Sequence, residues 1–284
     1  MEGSKSSQKR GSSGTGLRGQ VRRWKYRAQP DAGGYTVEHQ HFWCETEDGV
    51  RIAGSRLGSN PDVALVLVHG FMAYRLKSKW RLLAQALAGH FTVFALDLRG
   101  HGGSGGACTG GNSEPMDVRA VISLARASGF TRVVTVGASL GGIAVLFEAA
   151  RYRDPDAVVA ISSPAGWVEH ESKAVRRMTW VFTSSVGRAL ARRLMGTTIH
   201  TEWGNPEPPA DVVGRIAPVP LLLIHGADDH FFPPADAELL LERAGEPKRL
   251  VILEPFGHAE DGFTPTFARR LVTEIQDMLA AVEA

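Results

Sequence analysis

Residues 133–142 read Val133-Val134-Thr135-Val136-Gly137-Ala138-Ser139-Leu140-Gly141-Gly142. A short run of β-favouring residues leads directly into a serine that has a glycine two positions before it and another two positions after it. A helix-forming segment follows at once. This order of strand, Gly-x-Ser-x-Gly and helix is typical of a nucleophile elbow, in which a strained turn lifts the serine above a sheet. Glycines are needed there because a Cβ on either side would clash. We therefore take Ser139 as a candidate nucleophile, to be weighed against an ordinary serine in a glycine-rich turn.

The composition is that of a globular protein, with 284 residues, 43% hydrophobic and 22% charged. The formal net charge of +2 argues neither for nor against a polyanionic partner, and no nucleic acid is expected. Residues 1–34 nevertheless carry eight basic and two acidic side chains, which leaves a net charge of −4 for the rest. Since this segment has little to bury, it is predicted to be a basic, disordered N-terminal tail. Residues 35–284 then form the folded domain.

Targeting signals are weak in this sequence. The Arg22-Arg23 pair is not followed by an apolar segment, so it does not predict export. No apolar run approaches the length of a membrane span, and no stable membrane insertion is expected. The two cysteines predict no disulfide framework. We expect a cytoplasmic protein.

Strand-like and helix-like segments alternate along most of the chain. A hairpin over 35–45 and 50–57 comes first, followed by buried strands at 63–68, 91–96, 132–136, 157–161, 220–225 and 250–253. Helical segments lie between and after them, at 79–88, 113–128, 142–152, 235–243 and 267–282. This alternation predicts an α/β fold with a mostly parallel eight-stranded sheet and helices on both faces.

Residues 162–219 interrupt this alternation, since they contain no strand-like run and are too long for an ordinary connection. The segment 173–195 is predicted to be helical, with basic residues around an apolar stripe formed by Met178, Val181, Phe182, Val186, Leu190 and Leu194. We interpret 162–219 as a short helical cap over the carboxyl edge of the sheet. A helix packed on the flank and a basic helix on a membrane surface are the alternatives.

A serine hydroxyl needs a neighbouring base, and that base needs an acid to orient it. In an open α/β sheet both should follow strands, because ligands bind at the carboxyl ends. Asp228 and Asp229 follow the strand 220–225, and His258 follows the last strand. The hypothesis is that His258 is the general base and Asp229 its acid, with Asp228 as the rival.

Two backbone N–H groups are needed to stabilise an oxyanion. Leu140 follows the nucleophile and Phe71 follows His69-Gly70 after the strand 63–68, so these two are the candidates. His69 is interpreted as structural, and Arg75, Lys77 and Lys79 as a solvated loop face. Candidate substrate contacts are Met72, Trp167, Trp180, Phe182 and Phe231.

Five motifs in this order resemble the α/β-hydrolase superfamily of esterases, lysophospholipases and serine aminopeptidase-like enzymes. They are His69-Gly70-Phe71, the Asp-x-Arg-Gly-x-Gly-x-Ser loop at 97–104, the elbow at 137–142, Gly-x-x-Asp-x-x-x-Pro at 226–233, and Gly257-His258. The resemblance implies the α/β-hydrolase fold, places the acid on Asp229, makes 162–219 the cap and gives Asp97 and His101 structural roles.

The expected activity is hydrolysis of a small to medium carboxylic ester, acyl or aromatic, through an acyl-enzyme. It requires neither metal nor cofactor. Cleavage of an amide, peptide or thioester, and acyl transfer, would use the same residues and stay open. A non-catalytic ligand-binding protein on this fold is the alternative of another class. The oligomeric state is not predicted.

Overall fold

A computed structural model describes residues 33–167, 173–202, 204 and 206–283. The predicted tail over 1–34 therefore lies almost wholly outside the described residues. Eight strands form one sheet in this part of the chain: β1 (His39–Glu45), β2 (Arg51–Leu57), β3 (Val63–Val68), β4 (Thr92–Leu96), β5 (Arg132–Ala138), β6 (Ala157–Ile161), β7 (Leu221–Gly226) and β8 (Lys248–Leu253).

The sheet has the strand order β1-β2-β4-β3-β5-β6-β7-β8. β1 and β2 form the antiparallel hairpin, β2 pairs antiparallel with β4, and every later pairing is parallel. The central strands are buried along their whole length, as the continuous apolar runs predict for strands covered on both faces. The predicted mostly parallel eight-stranded sheet is therefore confirmed.

Helices cover both faces of the sheet. They are α1 (Ser78–Leu87), α2 (Glu114–Ala127), α3 (Leu140–Tyr152), α4 (Lys173–Thr183), α5 (Ser185–Leu190), α6 (Pro209–Val212), α7 (Pro234–Arg243) and α8 (Pro265–Glu283). Residues of α1 and α8 share one core cluster with one face of the sheet. Those of α2, α3 and α7 share a second cluster with the other face. This places the amino end of α3, with Ser139 before it, at the carboxyl edge of the central strand β5.

The segment 173–195 is helical as predicted, but it is divided into three pieces. α4 ends at Thr183, and the Ser184 side chain caps α5 by accepting from the Gly187 N–H at 3.3 Å. A turn of π-helix then runs over Ala191–Met195. The break lets α4 and α5 pack closely, since a Cβ on Gly187 would lie 2.8 Å from the Trp180 carbonyl oxygen.

The predicted apolar stripe is divided by this break. Phe182 on α4 packs on Phe71, with ring centroids 4.6 Å apart. Val186, Leu190 and Leu194 are instead exposed. A single helical period cannot describe two helices that turn against each other, so the stripe does not face the sheet as one surface.

Buried Glu148 on α3 should make the stability of the fold depend on pH. It is fully buried, and neither carboxylate oxygen has a hydrogen-bond partner among the described residues. Burial, and then the charge of Asp154, raises its pKa from 4.5 to about 8. Between these values the unfolded chain loses the Glu148 proton while the folded chain keeps it, so stability should fall as pH rises from about 4.5 to about 8.

Chemical denaturation across this pH range tests that expectation. Glu148→Gln should remove the fall, which corresponds to roughly 1.4 kcal/mol for each unit of pKa difference. Glu242→Gln, at an exposed position on α7, is the matched control and should keep the wild-type slope. If the free energy of unfolding changes with pH in the same way for wild type and Glu148→Gln, Glu148 is ionised in the folded protein.

Candidate active site

Ser139 lies in a strained turn between β5 and α3. Its backbone has φ 54° and ψ −119°, a conformation that costs about 1–3 kcal/mol for a residue with a side chain. A Cβ on Gly137 would lie 2.1 Å from the Gly141 carbonyl oxygen, and one on Gly141 would lie 2.3 Å from that of Val68. Since these are rigid backbone atoms, both positions require glycine. The elbow motif predicted this local geometry correctly.

Two neighbouring loops bring a histidine and a carboxylate to Ser139. A Cβ on Gly226, at the end of β7, would lie 2.2 Å from the Phe256 carbonyl oxygen, so the loops after β7 and β8 are in close contact. His258 Nε2 lies 3.0 Å from Ser139 Oγ, and His258 Nδ1 lies 2.8 Å from Asp229 Oδ2. The three side chains therefore form a continuous hydrogen-bonded chain.

The Asp229 carboxylate is held in its charged form. Burial acts to raise its pKa, but the hydrogen bond and electrostatic attraction of His258 outweigh it, together with the N–H groups of Phe231 and Phe232, so the net pKa is lowered. Those two N–H groups donate to Asp229 Oδ1 at 2.8 and 3.0 Å. Oδ2 is thus left to accept from His258 Nδ1–H, which puts the basic lone pair on Nε2, facing Ser139.

Asp228, the rival acid, is exposed, whereas the Asp229 side chain is fully buried. The Asp228 N–H donates to the Phe256 carbonyl oxygen at 3.1 Å, which ties the two loops together. Of the two acids, the structure places only Asp229 against His258.

The loop that carries His258 is supported by a residue that sequence reasoning missed. The Ala259 N–H donates to Ser162 Oγ at 3.0 Å, and Ser162 is buried directly after β6. Both residues have positive φ, 47° for Ala259 and 49° for Ser162. Lys77 and Glu260 form an ion pair that joins this loop to the one after β3. The only sequence signal was a polar residue directly after a buried strand.

The loop after β3 lies beside Ser139. A Cβ on Gly70 would lie 3.3 Å from the Ser139 Cβ, so Phe71 follows a point of close approach. The Met72 N–H is occupied, because it donates to His101 Nε2 at 3.2 Å. Leu140 is the first residue of α3, where an N–H has no partner within the helix. Phe71 and Leu140 thus lie next in sequence to Gly70 and Ser139, and they stay the predicted oxyanion donors.

A buried polar network holds the loop after β3 in place. Arg75 is buried and forms an ion pair with Asp97, so the expectation of a solvated loop face is wrong for this residue. The Arg75 N–H also donates to Asp97 Oδ1 at 2.8 Å. His69 donates and accepts backbone hydrogen bonds, with Nδ1 2.7 Å from the Gly70 carbonyl oxygen and Nε2 3.0 Å from the Leu98 nitrogen. This agrees with the structural role expected of His69.

The candidate substrate contacts separate into two groups. Phe182 covers Phe71, and Phe231 lies 4.4 Å from the His258 ring between centroids. Met72, with φ 57°, is half-buried in the same loop as Phe71. The structure therefore brings Met72, Phe182 and Phe231 together with the Ser139 neighbourhood.

Trp167 and Trp180 are placed differently. The Trp167 indole packs edge-on against Phe147, with centroids 6.3 Å apart, and its Nε1–H donates to the Pro206 carbonyl oxygen at 2.6 Å. Trp180 is exposed on α4. Trp167 thus anchors the 162–219 insertion on α3, and neither indole is brought to the triad by these contacts.

Two properties of the described residues bear on the class of protein. None of their helices is long and apolar enough to cross a membrane. No group of histidine, cysteine, aspartate and glutamate side chains among them is arranged to hold a metal ion.

Comparison with known proteins identifies the fold and gives distant relatives. A family model described as alpha/beta hydrolase fold matches residues 63–216, which is more than half of the chain. A pimeloyl-[acyl-carrier protein] methyl ester esterase of Neisseria meningitidis serogroup C is 27% identical over 71% of this chain and 89% of its own length. The protein YfhR of Escherichia coli K12 is 26% identical over 77% of this chain and 72% of its own length.

Solved structures agree on the architecture. The esterase Pf2001 of Pyrococcus furiosus has a TM-score of 0.70 at 19% identity, covering 89% of this chain and 98% of that one. The hydrolase GrgF of a Penicillium species has a TM-score of 0.69 at 18% identity, covering 86% of this chain and all of that one. At these identities the similarity shows a shared fold.

Proposed function

Since the chain belongs to the alpha/beta hydrolase fold family, we propose that it is a serine hydrolase that cleaves a small to medium carboxylic ester. The observation that carries this proposal is the hydrogen-bonded chain from Ser139 through His258 to Asp229. Several distant relatives are esterases by name, which favours an ester over an amide substrate. The 162–219 insertion acts in this proposal as the cap over the site.

The reaction follows from the positions of these atoms. Ser139 Oγ attacks the ester carbonyl carbon while His258 Nε2 takes its proton, and the N–H groups of Phe71 and Leu140 stabilise the oxyanion that forms. The intermediate collapses, the C–O bond to the alcohol breaks, and His258 returns the proton to the departing alkoxide. A water deprotonated by His258 then attacks the carbonyl carbon of the acyl-enzyme. The bond from that carbon to Ser139 Oγ breaks, His258 returns the proton to Oγ, and the carboxylic acid leaves.

Asp229 acts through His258 in this scheme. Its negative charge fixes the tautomer with the proton on Nδ1 and stabilises the imidazolium that forms in each half-reaction. The aromatic side chains of Phe182 and Phe231 provide apolar surface for the acyl or aromatic group.

Hydrolysis of p-nitrophenyl esters from acetate to palmitate tests the proposal, with the matching anilide and thioester of the best acyl chain assayed in parallel. We expect turnover of the esters, a maximum at short or medium chains, and loss of activity after treatment with a fluorophosphonate. Faster turnover of the anilide or thioester would move the assignment to amidase or thioesterase. Saturable binding without turnover would favour a ligand-binding protein.

His101 should position the oxyanion loop. Burial lowers its pKa, so it is neutral, with Nδ1 2.9 Å from the Arg99 carbonyl oxygen and Nε2 accepting from Met72. We expect His101→Phe, which removes the acceptor, to lower kcat roughly 10- to 100-fold with a smaller change in KM. His101→Gln offers an oxygen in its place and should recover part of the loss.

Exposed His90 provides the control, since His90→Phe should leave kcat at the wild-type value. Thermal unfolding of all three variants separates a fold defect from a loop defect. A fully folded His101→Phe variant with unchanged kcat would show that the loop keeps its conformation without this hydrogen bond.

A further inference from the structure

The 162–219 insertion has an apolar surface that nothing in the proposed reaction uses. Nine large hydrophobic side chains are exposed in the described residues, and four of them lie between positions 180 and 194. Val186, Leu190 and Leu194 are 60%, 43% and 56% exposed, and their spacing of four residues places them on one side of the helical segment 185–195. Trp180, 47% exposed, lies on the preceding helix. We call these four residues the outer face.

The segment around the outer face is strongly basic. Residues 173–201 contain six lysines and arginines and no acidic residue, in a chain whose net charge is only +2. Arg192 and Arg193 are exposed and lie between Leu190 and Leu194 in the sequence. Contact with an apolar medium would stabilise the exposed apolar side chains, and negative charge would stabilise the arginines next to them in the sequence.

We propose that the outer face binds the surface of a lipid bilayer that contains anionic lipids. A helix with tryptophan and leucine on one side and arginine beside them inserts its apolar side at the boundary between headgroups and acyl chains. Each arginine near such a surface adds about fivefold to the affinity. The protein then lies on the membrane, which is consistent with the finding that no described helix could cross it.

Charge also argues against the simplest other occupant, a second copy of the chain. A two-fold dimer would place the same patch on both partners, so both copies of Arg192 and Arg193 would be brought into one interface. Like charges brought together in an interface oppose association. An anionic bilayer satisfies both the apolar and the basic residues.

The position of the outer face links it to the candidate active site. α4 carries Trp180 outward and Phe182 inward, and Phe182 packs on Phe71 beside the proposed oxyanion site. A bilayer bound at the outer face would therefore contact the outward side of α4, and the inward side of the same helix faces the proposed oxyanion site. Binding itself needs no turnover, so it is tested independently of the proposed function.

Co-sedimentation with vesicles is the test. The full chain carrying Ser139→Ala, which leaves the lipids intact, is mixed with vesicles of phosphatidylcholine alone or with about 30% phosphatidylglycerol, at low and high salt. We expect binding to the anionic vesicles, weakened by salt. Leu190→Ser with Leu194→Ser should reduce the partition coefficient at least about tenfold, and Arg192→Gln with Arg193→Gln should reduce it about as much on anionic vesicles.

The matched controls are exposed residues elsewhere. Leu82→Ser with Leu239→Ser removes two exposed leucines, and Arg269→Gln with Arg270→Gln removes two exposed arginines of α8. Both should bind as the parent does. No binding to either vesicle, or equal binding to neutral and anionic vesicles, would overturn the proposal.

Two other results would also overturn it. Unchanged binding by the Leu190/Leu194 and Arg192/Arg193 variants would assign any membrane affinity to another part of the chain, such as the basic residues 1–34. Light scattering that shows a wild-type dimer and a Leu190→Ser, Leu194→Ser monomer, without vesicle binding, would make the outer face an interface between copies.

Discussion

Replacement of Ser139 by alanine should lower kcat for the best ester by on the order of 10³ or more. Without Oγ there is no nucleophile for an acyl-enzyme, while the N–H groups of Phe71 and Leu140 can still polarise a bound ester. The residual rate should therefore stay above that of the reaction in water. Steady-state kinetics with highly purified protein measures this ratio.

The fold should survive this change. Alanine removes one oxygen and relieves none of the backbone strain at φ 54°, so the unfolding temperature should be close to that of wild type. Mass spectrometry after fluorophosphonate treatment should place the label on Ser139 in the wild type and find none there in the variant. Full activity of Ser139→Ala, or a label on another serine, would refute the proposed mechanism.

Asp229→Asn should lower kcat by on the order of 10³ to 10⁴. The reason lies in the hydrogen bonds. Because Phe231 and Phe232 donate to Oδ1, the asparagine oxygen takes that position and its NH₂ group faces His258 Nδ1. Nδ1 must then accept, so the proton moves to Nε2 and the lone pair that should deprotonate Ser139 is lost. The loss should appear in kcat, with little change in KM.

Asp228→Asn is the matched control on the adjacent, exposed residue, and it should change kcat by less than about threefold because the hydrogen bond of Asp228 to the His258 loop comes from its backbone N–H. Pre-steady-state burst amplitudes for both variants would locate the defect in acylation. The reverse ranking of the two variants would mean that the acid is Asp228 and that the loop after β7 changes conformation when substrate binds.

Local patterns predicted the sheet and the elbow well, for identifiable reasons. Buried parallel strands read as continuous apolar runs, and rigid backbone contacts leave glycine as the only choice at 137 and 141. The strand, turn and helix around Ser139 are thus visible within ten residues of sequence, although the Val68 backbone of a neighbouring strand also requires the glycine at 141. The choice of Asp229 as the acid also came from a short motif, since its spacing from Gly226 and Pro233 matches the family pattern in the resemblance.

Contacts between distant segments were beyond the reach of these patterns. The hydrogen bond from Ala259 to Ser162 spans 97 positions, and the burial of Arg75 depends on Asp97 after the next strand. The break at Ser184 depends on how closely α4 and α5 pack, which a helical period does not encode. Helix patterning alone therefore gave a continuous stripe where the structure has an inward Phe182 and an outward leucine surface.

The order of strands in the sheet determines when the site can exist. His258 follows β8, the edge strand farthest from the amino-terminal hairpin, and β8 pairs only with β7 within the sheet. A chain emerging from the ribosome carries Ser139 long before it carries its base, so partly synthesised protein has an inert hydroxyl and cannot acylate itself. Recovery of the proposed esterase activity during refolding would accordingly report the last long-range pairing of the sheet, while fluorescence of the central core would recover earlier.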